Sequence, residues 1–137
     1  MDVLDASVCL KWVLDEDDSD KARVIRDEFR TALRDFIAPD IFAVECAHAL
    51  TKGERKGTVV APDSLYDEVM LDAPQFFSSL PLMMRAMEIA RMARIAVYDC
   101  VYVALAEREG CDLITADQRV INALGTKMNF IVALSSL

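Results

Sequence analysis

Four acidic residues stand where apolar segments of this chain meet a boundary: Asp5 after Val3-Leu4, Glu45 in the apolar helical run that follows Asp40, Asp99 at the head of Cys100 to Leu105, and Asp117 after Leu113-Ile114-Thr115. A fold that brings them together places negative charge in a low-dielectric cleft, where unpaired carboxylates are costly. A hard divalent cation relieves that cost, because Mg²⁺ takes oxygen ligands and keeps several waters for chemistry. The reaction such a set suits is phosphodiester hydrolysis. There, metal polarises a phosphoryl oxygen, generates hydroxide from water and steadies the leaving oxygen, with the ions of a two-metal site about 3.5–4 Å apart. No protein nucleophile is then required, in keeping with a single histidine and no G-x-S-x-G motif. Asp5 and Asp99 are expected to coordinate directly, with Glu45 and Asp117 closing the site directly or through water. Taken singly, each acid also fits an ordinary role: helix caps for Asp5 and Asp99, a turn for Asp117, a solvated helix face for Glu45. The ordered set favours the site.

The elements that must position these acids alternate short apolar strands with longer helical stretches, the pattern of an α/β fold with a mainly parallel sheet of four to five strands. Strands are expected at Val3-Leu4, Phe36-Ile37-Ala38, Phe76-Phe77-Ser78, Leu113-Ile114-Thr115 and Phe130-Ile131-Val132. A short helix is expected from Ser7 to Leu14, and a longer one from a capping Ser19 to about Asp35, with Ala22, Ile25, Phe29 and Leu33 on a helical period. Asp40 is expected to cap the helix carrying Glu45, which fades at Gly53 and Gly57. Further helices are expected from Pro62 to near Pro74, from Pro81 at a first turn to about Arg94, from Asp99 to Glu109 with a stop at Gly110, and from Gln118 to Leu124. Ligand sites in open parallel sheets lie outside the carboxyl ends of the strands. Asp5 and Asp117 follow two such ends, Glu45 lies in the second turn of a helix that starts at a third, and Asp99 opens a helix whose dipole favours an anion there.

Composition narrows the class. A chain of 137 residues is most simply one domain spanning 1–137, and at that size it buries roughly 70% of its unfolded surface, enough for a core without staples. The net charge of −8, from 23 acids against 15 bases, lacks the basic footprint of a protein that coats nucleic acid. It leaves room for an enzyme whose acids surround metal. No run reaches the roughly 20 apolar residues of a membrane span, and the acidic N-terminus is no signal peptide, so a cytoplasmic location is expected. Cys9, Cys46, Cys100 and Cys111 lack C-x-x-C spacing and read as reduced hydrophobes. Zinc is not expected, since Cys46 and the only histidine, His48, are two apart on a helix and point to different faces.

Read together, Val3-Leu4-Asp5-Ala6-Ser7, Ala38-Pro39-Asp40 leading to Glu45 and Ala49-Leu50, Tyr98-Asp99-Cys100 through Ala106, and Leu113-Ile114-Thr115-Ala116-Asp117 resemble the PIN-domain family, and within it the VapC-like ribonuclease toxins of toxin–antitoxin pairs. No one piece is specific; the ordered set, running from Val3 to Leu124, is fairly so. The resemblance implies a three-layer α/β/α sandwich, a Mg²⁺ or Mn²⁺ site and hydrolysis of RNA. It makes Asp5, Glu45, Asp99 and Asp117 the metal-binding acids, with Ser7 and Thr115 as polar supports. It also implies a possible cognate antitoxin as partner. Two positions depart from the family pattern: Cys100 stands where alanine is usual, and Arg119 stands where some members carry a further acid, which weakens the case for a fully occupied second metal position. A non-toxin RNA-processing nuclease of the same fold, or a non-catalytic binding module, are the alternatives, and the presence of all four acids speaks against the latter. A phosphoacceptor signalling domain fits less well, lacking the adjacent acid pair after the first strand and the lysine after the last.

Lys11, Lys52, Arg55, Lys56, Arg85 and Arg94 are candidate phosphate contacts, which act only in combination. In the methionine-rich helix from Leu82, the side chains Leu82, Met83, Ala86, Met87, Ile89, Ala90 and Ala93 are expected to face the core. Met84 and Met92 fall among charged residues and suit an adaptable partner surface, whether a homodimer contact or an antitoxin groove.

Overall fold

Val3, Leu4, Leu113 and Ile114 are fully buried because the strands that carry them lie in the middle of a parallel sheet, covered on both faces. The computed structural model describes all residues, 1–137. Its elements follow the chain as β1 (Asp2–Leu4), α1 (Ala6–Leu10), α2 (Ser19–Arg30), β2 (Phe36–Pro39), α3 (Phe42–Arg55), α4 (Pro62–Leu71), β3 (Gln75–Phe77), α5 (Met83–Ala93), α6 (Val97–Glu109), β4 (Leu113–Thr115), α7 (Gln118–Leu124) and β5 (Ile131–Ala133). Short 3₁₀ turns precede α5 and follow β5. The sheet order is β3-β2-β1-β4-β5 and every pairing is parallel, so the expected α/β/α architecture is present with five strands.

That order fixes where a site can form. From β1 the chain winds outward through β2 to β3, then crosses to β4 on the other side of β1 and continues to β5. The reversal falls between β1 and β4, and a crevice opens at the carboxyl ends of strands flanking such a reversal. Beneath it, α6 is buried continuously from Asp99 to Ala106 and packs on β1, β2, β4 and α5. A helix apolar on all sides must be covered on all sides. Each fully buried aliphatic side chain of this core contributes about 1.5–3 kcal/mol, which holds the acid-bearing ends together against their mutual repulsion.

Several boundaries differ from the sequence-based expectation, for local reasons. Ser19 does not cap α2; it is its first, buried residue, and its hydroxyl donates to the Leu14 carbonyl and accepts from the Glu16 N–H, closing the acidic turn. That helix ends at Arg30, ahead of a left-handed Ala32, and leaves Leu33 76% exposed instead of packed. Asp40 does not cap α3 either. Its Oδ1 accepts from both the backbone N–H and the hydroxyl of Ser79, tying the end of β2 to the segment after β3. α1 ends four residues early, at Leu10, α4 stops at Leu71, and Pro81 lies in the 3₁₀ turn ahead of α5. Within α5, Met87 is 42% exposed and not core, whereas Met84 and Met92 are exposed as expected. Gly110 ends α6 with φ +65, a left-handed value that glycine adopts without a Cβ penalty.

Candidate active site

β1 delivers Asp5 directly to the crevice, where the carboxylate caps α1: Oδ1 accepts from the Ser7 N–H at 3.4 Å and Oδ2 from the Thr115 hydroxyl at 2.6 Å. The Thr115 hydroxyl in turn accepts from the Asp117 N–H at 3.0 Å, and the Ser7 hydroxyl accepts from the Ala116 N–H at 3.0 Å. Ser7 and Thr115 thus stitch the loop after β1 to the loop after β4. Asp117 caps α7 through the Arg119 N–H. Asp99 lies inside the first turn of α6, behind an N-cap at Ala96, and Glu45 reaches in from α3. All four acids line one cleft of about 550 Å³.

Within the cleft the acids are unequally satisfied. Asp99 is buried and its Oδ2 has no hydrogen-bond partner; Glu45 Oε1 is likewise buried and unpartnered. Burial, reinforced by Asp5, pushes the Glu45 carboxyl up to about 8 from an ordinary 4.5. The Tyr102 hydroxyl opposes that rise, yet it too is buried without a properly formed hydrogen bond. Burial also raises Asp99 to about 6, with Asp117 adding repulsion and Arg119 pulling the other way. Asp5 is raised by burial against the lowering pull of its Thr115 and Ser7 bonds. In the absence of a cation, the cleft therefore holds protons at pH values where exposed carboxylates have lost them.

These properties fit a hard divalent cation. The oxygens are the right donors, two of them lack partners, and the charge cost is the one a cation offsets. No three acidic, histidine or cysteine side chains are drawn to coordination distance. The carboxylates face a common space in which an ion would be held by one or two of them and by water, the usual mode for Mg²⁺. Cys46 is buried and His48 exposed on different faces of α3, so the two do not converge as a zinc pair.

Tyr102 is the residue that sequence reasoning missed. It follows Asp99 by three positions, so one face of α6 carries both, and its full burial against Glu45 was not visible without the fold. Of the cations singled out, Lys52 lines the cleft, and Lys52 and Lys56 line an adjoining one that shares Leu10 and Ala49. Arg85 is instead engaged by Glu107 and Glu88 on the α5–α6 surface. Cys100 is fully buried, a side chain that packs beside the site without entering it.

Residues 3–125 match the family model described as PIN domain. No curated protein matches the chain. Among solved structures it is similar to PAE2754 from Pyrobaculum aerophilum, with a TM-score of 0.71 and 20% identity over 98% of this chain and 89% of that one. At that identity the likeness speaks for the fold. PIN domains are generally nucleases, so phosphodiester hydrolysis is the activity this fold carries. The matched span holds every acid of the cleft, and on that match the chain belongs to the PIN domain family.

Proposed function

We propose that this protein is a divalent-metal-dependent endoribonuclease, acting in the cytoplasm as the toxin of a toxin–antitoxin pair. The observation that carries the metal reading is the pair of buried, unpartnered carboxylate oxygens, on Glu45 and Asp99, in the cleft that Asp5 and Asp117 also line. Asp5 and Asp99 would hold Mg²⁺ or Mn²⁺ directly, with Glu45 and Asp117 closing the site directly or through water. The bound ion supplies positive charge to a phosphoryl oxygen and lowers the pKa of water. The chain's own groups do the positioning. Thr115 and Ser7 keep the Asp5 carboxylate in one orientation, and preorganised supports of this kind typically matter 10–100-fold. Lys52 offers a cation to the substrate backbone from the cleft wall. Ile41, Val44 and Tyr98 give the mouth an apolar rim, against which an unstacked base can rest.

RNA as substrate and an antitoxin as partner rest on the family resemblance. The exposed Met84 and Met92 suit an antitoxin segment or a homodimer contact on the surface of α5. The test is incubation of purified protein with single-stranded and structured RNA, with Mg²⁺ or Mn²⁺ and then with excess chelator. Cleavage in metal that stops in chelator is expected. Cleavage that persists in chelator, or none under any metal condition, contradicts the reading.

A further inference from the structure

Asp117 differs from the other acids of the cleft in that a cation already grips it. Its Oδ1 accepts from the Arg119 N–H at 2.9 Å and from Nε at 3.3 Å, and its Oδ2 accepts from Nη2 at 3.0 Å. The same Nη2 stands 3.8 Å from Asp99 Oδ2, the buried oxygen with no hydrogen-bond partner. One guanidinium nitrogen therefore sits between carboxylates delivered by α6 and by the loop after β4. Asp5 and Glu45, across the cleft, form no ion pair, and Glu45 keeps an unpartnered oxygen.

A guanidinium lodged between two carboxylates offsets the negative charge that a second metal ion would otherwise offset. Arginine suits this use because its charge is permanent and its planar fork can hold one carboxylate while facing another. We propose that Arg119 is a built-in cation of this cleft: its guanidinium supplies, beside Asp117 and Asp99, the positive charge a second metal ion would bring, and the centre admits one divalent ion. The proposal rests on the metal reading of the cleft and goes further in assigning its stoichiometry to one residue. Arg119 is solvent-exposed along most of its side chain, so replacing it removes charge without opening the core.

Mn²⁺ alone is the probe, followed by calorimetric titration and by low-temperature electron paramagnetic resonance on the full chain. Circular dichroism establishes that the variants are folded. The wild type is expected to take up one Mn²⁺. Arg119→Ala and Arg119→Gln are expected to take up a second ion, with a spin-coupled signal. Two ions in the wild type overturn the proposal, as do variants that still take up a single ion, whatever its affinity. Uptake by neither wild type nor variants overturns it together with the metal reading, a result distinct from equal uptake by both.

Discussion

Asp72 and Asp99 are both carboxylates at the edge of buried space, yet Asp72 is ringed by arginines while Asp99 keeps an oxygen with no partner. At the end of α4, Asp72 Oδ2 accepts from Arg26 Nε at 2.8 Å and from Arg30 Nε at 2.9 Å. Arg26 also lies over the Trp12 ring, 5.3 Å from its centroid, and faces Glu68. Burial works to raise Asp72, but the hydrogen bonds from Arg30 and Arg26 prevail and hold it below its ordinary value. Asp99 meets the same burial and a repelling Asp117, offset only by Arg119 at 3.8 Å and by no hydrogen bond, and it rises. One acid is finished by the fold and serves as a strut between α2 and α4. The other is left unfinished, and its missing partner is what a ligand can supply. Acidity and burial alone do not separate the two roles; the presence of a fixed counter-charge does.

The comparison breaks most visibly under a mirrored pair of substitutions. Asp99→Asn is expected to lower RNA hydrolysis by more than about 100-fold, beyond the range typical of outer supports, while leaving metal-free thermal stability unchanged or raised, since it removes one of several repelling charges. Thr115→Val comes next. It takes from Asp5 its buried hydrogen bond and leaves the Asp117 N–H without its acceptor, so hydrolysis should drop about 10–100-fold, with about 1–2 kcal/mol of stability lost in denaturant titration. Asp72→Asn, the mirror of Asp99→Asn, should cost about 1–2 kcal/mol, because Arg26 loses its closest partner in a mostly buried place, and should leave the hydrolysis rate where it was.

The two acids also differ in their pH dependence. A carboxyl whose folded pKa is raised binds its proton more tightly folded than unfolded, so stability is fullest below the unfolded value and declines as pH climbs through the folded one. Asp99 rises from 3.8 to about 6 and Glu45 from 4.5 to about 8. The metal-free protein should therefore lose stability between about pH 4 and 8, by about 1 kcal/mol per unit or less after solvent screening. Glu45→Gln should flatten the upper part of that slope. Asp72 runs the opposite way: its contribution is present above its ordinary value of 3.8 and disappears as pH falls through its lowered one. Melting curves across pH separate the two acids.

Much of the cleft was legible before the fold was known, because its acids sit at places that sequence patterns mark. Asp5 and Asp117 follow short apolar strands, and Asp99 opens the apolar run Cys100 to Ala106, in a helix that stops at Gly110. Residues whose roles depend on distant partners were not legible. Asp40 has the look of a helix cap, but its carboxylate accepts from Ser79, and Ile41 holds the N-cap position of α3. Asp72 is an unremarked acid after Leu71 until α2 brings Arg26 and Arg30 beside it. Met87 keeps the helical period of a core residue, yet it lies at the edge of the α5 face that meets α6 and stays exposed. Periodicity reports which residues share a face; it does not report how far the neighbouring element extends over it.

The central claim is that the unfinished acids of the cleft await a divalent cation. Its most direct test is the melting temperature of the wild type and of Asp99→Asn with and without millimolar Mn²⁺, under conditions where chelator reverses the effect. A rise in the wild type that is lost or sharply reduced in Asp99→Asn is the predicted result. No rise in the wild type, or an equal rise in both, would contradict the account.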